Sequence, residues 1–160
     1  MSHGRASDHR QRPAAMIAVD ASALLAIAFG EPEAQTFLAA LAREDCVTGT
    51  SAALEAHNAV ERRGEPDATA ILRDLMALSN LTLLPFTAAH TFIAQQAFDR
   101  YGQGRGHSAS LNFGDCLCDA VAMRDDLPLL FKGNDFSTTA RLPAVSMRPW
   151  NPPSTGFATS

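Results

Sequence analysis

The sequence lacks the surplus of positive charge that a general nucleic-acid coat protein carries. Its 160 residues include 13 Lys and Arg against 17 Asp and Glu, so the formal net charge is −4 with histidine neutral. Hydrophobic residues make up 46% of the chain and charged residues 19%, a balance too apolar for a wholly disordered protein. The composition predicts one globular domain, whose affinity for any polyanion depends on the local placement of its cations.

Long hydrophobic runs are also missing. Asp20, Gly30 and Pro85 interrupt the longest apolar stretches within a few residues. A membrane-spanning helix needs roughly 20 apolar residues in succession. The first 15 residues hold three arginines but no apolar core that could act as a secretory signal or an anchor. We therefore expect a soluble, cytoplasmic protein.

Cysteine is scarce, and its spacing does not fit the usual disulfide or zinc patterns. The three residues, Cys46, Cys116 and Cys118, are odd in number and include no CxxC pair. We expect them to pack in the core, and redox sensing is the alternative role.

Strand-like and helix-like segments alternate along the chain. Strands are expected at MIAV (16–19), CVTG (46–49), LTLLP (81–85) and PLLF (128–131), with helices between them, a helical turn near Asp135 and a last strand at AVS (144–146). This alternation predicts an α/β protein with a mainly parallel central sheet, helices on both faces in a three-layer α/β/α arrangement, and right-handed crossovers.

Local signals also predict where helices and domains end. Ser51 and Thr87 are the expected N-caps of two helices, and Gly64 is the expected end of the first of these. Polar, weakly patterned residues predict a flexible N-terminal extension over 1–15 and a flexible C-terminal tail over 148–160. The folded domain is expected over the intervening residues 16–147.

Four acidic residues follow predicted strands or begin the helices after them. They are Asp20, Glu55, Asp115 and Asp135. In an open parallel sheet, ligands bind beyond the carboxyl ends of the strands. Carboxylates that converge there without a counter-ion repel one another, and a divalent cation removes this conflict. Mg²⁺ suits such hard oxygen ligands and retains waters that can act as nucleophiles.

Each acid also has a purely structural explanation. Asp20 can cap the following helix, a role compatible with metal binding. Glu55 and Asp115 lie near helix starts, where a negative charge interacts favourably with the helix dipole. Asp135 can be an ordinary turn residue. Asp119, one turn after Asp115, can join the cluster or remain exposed to solvent.

Four segments, taken in order, carry a family resemblance. They are VDASALLAI with GEPEA, then SAALEAHNAV, then GRGHSASLNFGDCLCDAVA, then LPLLFKGNDFSTT. Together they resemble PIN-domain ribonucleases, in particular the VapC-type toxins of bacterial type II toxin–antitoxin pairs, over roughly residues 16 to 146. Asp119 departs from the apolar or aromatic residue frequent at its position in close relatives. The residues before Met16 are unusual for such short toxins.

The resemblance implies a PIN-like nuclease domain and an endoribonuclease that depends on Mg²⁺ or Mn²⁺. It implies that the four acids above hold the metal and are catalytic, with Asp119 as a further candidate ligand. Ser22 and Asn112 are candidate supporting polar groups. The resemblance also implies an RNA substrate, a cognate antitoxin, and a homodimer or a toxin–antitoxin hetero-oligomer.

Three cations are candidates for RNA binding. Arg100 precedes the segment YGQGRG, Arg105 lies within it, and Lys132 precedes Asp135. A solvated loop is the alternative explanation. The glycines do not form a phosphate-binding P-loop, because no GK[ST] follows them. His57 and His107 are expected to be surface or packed histidines rather than RNA ligands.

Two other classes of protein remain open. A catalytically degenerate PIN module would bind RNA or protein without cleaving it, but the presence of all four acids favours catalysis. A phosphoacceptor receiver domain would need clustered acids after the first strand, where this chain has only Asp20. If a metal-activated water attacks the phosphate, the products should carry 5′-phosphate and 3′-hydroxyl ends.

Overall fold

The computed structural model describes residues 16–106 and 111–133. The predicted domain boundary before Met16 coincides with the first described residue, and the one after residue 147 lies beyond the last. Several other predictions also concern residues outside the described ranges. The predictions outside them concern the extension 1–15, His107, Asp135, the strand at 144–146 and the tail 148–160.

Strands and helices alternate along most of the described chain, as the sequence predicts. In chain order they are β1 (Met16–Val19), α1 (Ala21–Ala28), α2 (Ala34–Arg43), β2 (Asp45–Gly49), α3 (Thr50–Arg63), α4 (Pro66–Met76), β3 (Leu81–Leu84), α5 (Ala88–Tyr101), α6 (Phe113–Arg124) and β4 (Leu129–Leu130). Within the described ranges, no helix combines the length and the apolar character needed to cross a bilayer.

The described strands form one parallel sheet in the order β3-β2-β1-β4. In this sheet Cys46 of β2 pairs with both Ile17 of β1 and Leu81 of β3. Helix α1 packs against α2, α3 and α4, whereas α5 packs against α6, which contacts β1 and β2. This arrangement confirms the predicted three-layer α/β/α fold. It also brings the carboxyl ends of all the described strands to one edge of the sheet.

The core is built on strands that are covered on both faces. Ile17, Ala18 and Val19 of β1 are all buried, as are six of the eight residues of α1. A continuous apolar run is typical of a parallel strand between two layers of helices. Burying one large aliphatic side chain contributes about 1.5–3 kcal/mol to folding. The end of β1, where Asp20 stands, is therefore held within the buried core.

The cysteines belong to this core. Cys46, Cys116 and Cys118 are unbridged and buried. Burial, with a smaller contribution from the negative charges of Asp45 and Glu44, raises the pKa of Cys46 to about 11. Since the thiolate is the reactive form, Cys46 is inert at neutral pH and acts as a packing residue.

The start of α3 differs from the sequence prediction. Ser51 is not the N-cap, because β2 runs directly into a helix that begins at Thr50 and is capped by the backbone of Gly49. A Cβ at Gly49 would lie 2.9 Å from Cγ2 of Val121, so α6 leaves no space for a larger capping residue. The end of α3 is as predicted, since Gly64 adopts a left-handed conformation with φ +66°.

Thr87 caps α5 as predicted, and a buried histidine completes the cap. The Thr87 backbone N–H donates to Nδ1 of His90 at 3.0 Å, so the ring proton of neutral His90 lies on Nε2. The ring stacks on Phe86, with 5.4 Å between centroids, and His90 is only 2% exposed. Burial, followed by the positive charge of Arg124, lowers the pKa of His90.

We predict that His90 makes folding pH-dependent. Because its pKa is lower in the folded than in the unfolded state, the unfolded chain binds more protons in acid. The contribution of neutral His90 is therefore fully present above the unfolded pKa of about 6.5 and is lost as the pH falls below it. His90→Gln keeps an acceptor for the Thr87 N–H but does not titrate.

Urea unfolding between about pH 7.5 and pH 5.5 measures this effect, since protonation of this side chain begins near pH 6.5. The wild-type protein should lose more free energy of unfolding on acidification than His90→Gln, by at most about 1.4 kcal/mol per pH unit. His57→Gln, at an exposed position of α3, is the control and should keep the wild-type slope. Identical slopes for the wild type and His90→Gln would contradict the prediction.

Candidate active site

Three of the four predicted acids lie together at the carboxyl edge of the sheet. Asp20 directly follows β1, Glu55 stands in α3 after β2, and Asp115 stands in the first turn of α6. Loss of hydration raises the pKa of Glu55, and the negative charges of Asp20 and Asp115 raise it further. The fold therefore brings these three carboxylates within electrostatic reach of one another. Asp119 belongs to α6, and its role as a ligand stays a prediction.

Asp20 is fixed at this edge by both its backbone and its side chain. It is 4% exposed, and its N–H donates to the Leu130 carbonyl at 2.9 Å, which joins the end of β1 to β4. Its Oδ2 accepts hydrogen bonds from the Ser22 N–H at 2.9 Å and from the Ser22 hydroxyl. The capping role is confirmed, and the same contacts orient the carboxylate.

Ser22 connects this carboxylate to the chain that leaves β4. Its hydroxyl donates to Asp20, while its oxygen accepts a hydrogen bond from the Lys132 N–H at 2.9 Å. A small change at Ser22 would therefore disturb two strand ends at once. This position fits the supporting polar role predicted for Ser22.

Asp115 is held by a reciprocal cap at the start of α6. The Asp115 N–H donates to Oδ1 of Asn112, and the Asn112 N–H donates to Oδ2 of Asp115, each at 2.9 Å. Two backbone donors are thereby satisfied, and the carboxylate is fixed relative to the helix axis. Asn112 thus positions a predicted ligand, as its assignment as a supporting group requires.

Glu55 reaches its place because α6 approaches α3 at a glycine. A Cβ at Gly114 would lie 2.7 Å from Oε2 of Glu55 and 3.0 Å from its Cδ. Glu55 is exposed as a residue, but its carboxylate lies against this backbone, which explains its loss of hydration. Gly114 was not predicted as a site residue, although its position directly before the candidate ligand Asp115 was a usable indication in the sequence.

The donor atoms of Asp20, Glu55 and Asp115 determine which metal ion this site could hold. Within residues 16–106 and 111–133, no three His, Cys, Asp or Glu side chains form a group able to hold one metal ion. The donor chemistry fits Mg²⁺, because all three acids offer hard oxygens and because Mg²⁺ keeps several waters and binds through one or two carboxylates. A cation would also offset the repulsion from Asp20 and Asp115, which adds to the effect of lost hydration in raising the pKa of Glu55. Asp20, Glu55 and Asp115 therefore suit a hydrated Mg²⁺ ion.

The sequence matches the PIN domain family over residues 17–142. The chain belongs to this family. It is 38% identical over 132 residues to Ribonuclease VapC28 of Mycobacterium tuberculosis, covering 81% of this chain and 98% of that protein. It is 42% identical over 123 residues to Ribonuclease VapC36 of the same organism, covering 76% and 88%. These similarities confirm a PIN domain of the VapC type.

A solved structure supports the fold. The crystal structure of Mycobacterium tuberculosis VapC20, described as a sarcin-ricin loop cleaving toxin, matches with a TM-score of 0.62 and 18% sequence identity. The match covers 79% of this chain and 96% of that one. The predicted PIN-like architecture is confirmed.

A cavity of about 470 Å³ opens beside Glu55 in this PIN domain. Residues of α3 and the start of α6 line it, among them Glu55, Asn58, Arg62, Phe113, Gly114 and Leu117. Neither Arg62 nor Phe113 was predicted from the sequence to belong to the site. The spacing of Ser51, Glu55, Asn58 and Arg62 at intervals of four, three and four residues was a usable signal for this face of α3.

The cations predicted to bind RNA have different surroundings. Arg100 is exposed in the last turn of α5. Arg105 pairs with Asp99 at 3.3 Å and lies over the ring of Phe98, 5.6 Å from its centroid. Their contact with RNA stays a prediction.

Lys132 is tied to the turn between α1 and α2. Its Nζ contacts the carboxylate of Glu31 and lies 3.4 Å from Oε2 of Glu33. The hydrogen bond to Glu31 is the main cause that raises the pKa of Lys132, and the charges of both acids add to it. Lys132 therefore remains charged at neutral pH, with its charge partly balanced by these two acids.

We predict that the charge of Glu55 destabilises the folded domain in the absence of metal and stabilises it when Mg²⁺ is bound. Removing its charge in Glu55→Gln relieves repulsion from Asp20 and Asp115, so this variant should melt at a higher temperature than the wild type in EDTA. Mg²⁺ should stabilise the wild-type domain, by about 2.7 kcal/mol at 100 times its dissociation constant. The variant should gain less from the same Mg²⁺ concentration.

Thermal unfolding with and without Mg²⁺ measures both effects. Glu61→Gln is the matched control, since Glu61 is exposed on the same helix and has no contact with the cavity beside Glu55. If Glu55→Gln and Glu61→Gln respond alike to Mg²⁺, Glu55 is not part of the cation site.

We predict that Lys132 affects stability and RNA affinity indirectly, through its ion pair with Glu31. Lys132→Glu and Glu31→Lys should each lower the free energy of unfolding, and the double swap should recover part of the two losses relative to additivity. Urea unfolding of the four proteins measures this coupling. RNA affinity should recover in the double swap as well. If RNA binding stays weak and less dependent on salt in the double swap, Lys132 contacts the phosphates itself.

Proposed function

We propose that this PIN domain is the toxin of a toxin–antitoxin pair and a Mg²⁺-dependent endoribonuclease, with Mn²⁺ able to replace Mg²⁺. The observation that carries the proposal is the meeting of Asp20, Glu55 and Asp115 at the carboxyl edge of the sheet. Similarity to VapC ribonucleases over about four-fifths of the chain supports the same activity. Asp135 is the proposed fourth acid of the site.

The chain's own residues provide a pre-organised acidic site. Ser22 orients the Asp20 carboxylate, Asn112 orients Asp115, and the backbone at Gly114 keeps Glu55 close to α6. A divalent ion bound by these acids would supply an activated water and neutralise charge on the scissile phosphate. Hydrolysis by water should leave a 5′-phosphate and a 3′-hydroxyl. No histidine is needed for this reaction.

RNA is the proposed substrate, and local cations must attract it. The chain has a net charge of −4 and the site is acidic, so long-range attraction does not favour a polyanion. Arg100 and Arg105 are candidates in the segment after α5, and Arg62 lies in the cavity beside Glu55. A metal ion would reverse the local field at the carboxylates themselves.

A cognate antitoxin is the proposed protein partner. A basic side chain inserted among Asp20, Glu55 and Asp115 would neutralise their charge and exclude the metal. An apolar groove of about 870 Å³ between α5 and α6, lined in part by Phe86 and Phe98, offers a surface for a protein chain. The same surface suits a homodimer or a toxin–antitoxin hetero-oligomer.

A degenerate PIN module that binds RNA without cleaving it is the second candidate. One observation favours it: within the described ranges, the acids do not form a direct group of three around one ion. The described carboxylates Asp20, Glu55 and Asp115 are nevertheless all present and oriented, which favours cleavage.

A cleavage assay with an end-labelled RNA separates these candidates. The wild-type protein should cleave in Mg²⁺ or Mn²⁺, lose activity in EDTA and regain it with excess metal. Asp115→Asn should be slower by about 100-fold or more, because the charge stabilisation that a metal supplies is worth several kcal/mol. Asp126→Asn, at an exposed position just after α6, is the control and should cleave normally.

Each other outcome is informative. Cleavage that survives EDTA, or full activity of Asp115→Asn at matched purity, contradicts the metal mechanism. RNA binding without cleavage in any divalent metal identifies the degenerate module. Mapping the ends of the products checks the predicted 5′-phosphate.

A further inference from the structure

One face of α3 leads away from the acidic site. Ser51, Glu55, Asn58 and Arg62 all line the cavity beside Glu55, and their spacing places them along a single side of the helix. Arg62 follows Glu55 by two turns, about 10 Å along the helix axis. A chain that lies along this face from the carboxylates therefore meets an amide and then a guanidinium.

Arg62 is available to a ligand in this cavity. Among the side chains that the structure describes, no carboxylate forms an ion pair with Arg62. Its neighbour Arg63 is engaged elsewhere, since it pairs with Glu65 at 2.5 Å and lies over the ring of Phe29, 4.2 Å from its centroid. Two adjacent arginines of one helix thus differ in their surroundings, and only Arg62 lines the cavity.

Phe113 stands at the opposite wall with its ring in solvent. It is 75% exposed, the largest exposure of any large apolar side chain in the described residues. The position is fixed, because Phe113 is the first residue of α6 and lies between the partners of the Asn112–Asp115 cap. It borders both the cavity beside Glu55 and the groove between α5 and α6. An aromatic ring held this way, two residues from Asp115, presents a flat surface beside the site of cleavage.

We propose that the cavity between α3 and α6 binds one nucleotide of single-stranded RNA next to the scissile phosphate, with its base stacked on Phe113 and its backbone phosphate on Arg62. This inference rests on the proposed ribonuclease function and specifies single-stranded RNA as its substrate. A base stacks on an aromatic side chain only when it is free of its own duplex, so the site selects unpaired RNA. Asn58, between the two anchors, can donate to and accept from the edge of the base.

RNA binding in a cleavage-deficient background tests the subsite. All variants carry Asp115→Asn, which keeps an acceptor for the Asn112 N–H and allows binding to be measured in Mg²⁺ on intact RNA. Fluorescence anisotropy with a labelled single-stranded oligonucleotide, at several salt concentrations, gives the affinity and its salt dependence. A hairpin with the same sequence paired in its stem is the structural comparison and should bind more weakly.

Substitutions at Phe113 and at Arg62 should weaken RNA binding in different ways. Phe113→Ala should weaken binding by about 5- to 150-fold, the range expected for loss of one stacked base, with the salt dependence unchanged. Phe113→Leu should remain weak, because it restores apolar area but not the ring. Arg62→Gln should weaken binding and reduce the salt slope by about 1. The controls Phe92→Ala and Arg63→Gln, at exposed positions outside the cavity, should change neither quantity.

The outcomes separate this inference from the proposed function. If the protein cleaves RNA while Phe113→Ala and Arg62→Gln bind like their controls, the subsite is wrong and the ribonuclease function stands. If the predicted losses occur but the unmodified protein never cleaves, the subsite stands and the ribonuclease function is wrong. If Phe113→Ala changes the sedimentation mass and leaves RNA affinity intact, the cavity is an interface between copies of the chain, which overturns the proposal.

Discussion

Mutual repulsion among carboxylates at the carboxyl edge of the sheet is the constraint on which the site depends. Three acidic side chains meet there, and the pKa of Glu55 is raised first by loss of hydration and further by the negative charges of Asp20 and Asp115. Each acid is held by a different device: a serine for Asp20, a helix cap for Asp115, and a close backbone approach for Glu55. Because these devices belong to separate elements, the site exists only when the whole sheet edge is assembled.

The core supplies the free energy that holds this unfavourable arrangement. Strand β1 ends at Asp20 after three fully covered residues, and α1 begins immediately afterwards with most of its residues buried. Helix α6 carries Asp115 and packs against β1, β2 and α3. Apolar burial thus fixes the backbone, and short polar contacts then fix the side chains on it. The acidic site therefore stands directly on buried, closely packed elements of the core.

Much of this architecture could be predicted from local sequence patterns. The four strands, the cap at Thr87 and the end of α3 at Gly64 follow from periodicity and from well-defined helix signals. Ser51 was assigned wrongly as a cap because several hydroxyl residues follow β2, whereas the N-cap is Gly49, whose close approach to Val121 comes from tertiary packing.

Contacts between distant elements could not be predicted in the same way. The pairing of Lys132 with Glu31 joins residues 101 positions apart, and no local pattern encodes it. The approach of Gly114 to Glu55 and the cavity shared by Arg62 and Phe113 depend on how α3 packs against α6. Candidate acids could be named from strand ends and family resemblance, whereas the surroundings of Asp20, Glu55 and Asp115 required the tertiary fold.

The hydrogen bond from the Lys132 N–H to Ser22 has a consequence for folding during synthesis. Its partners stand 110 residues apart, and β4 must pair with β1 before they can meet. A ribosome adds about 5–20 residues per second, so several seconds or more pass between synthesis of the first partner and of the second. During translation Ser22 and Asp20 therefore lack part of their final surroundings for several seconds, and this end of the sheet is complete only after the chain has been made as far as Lys132.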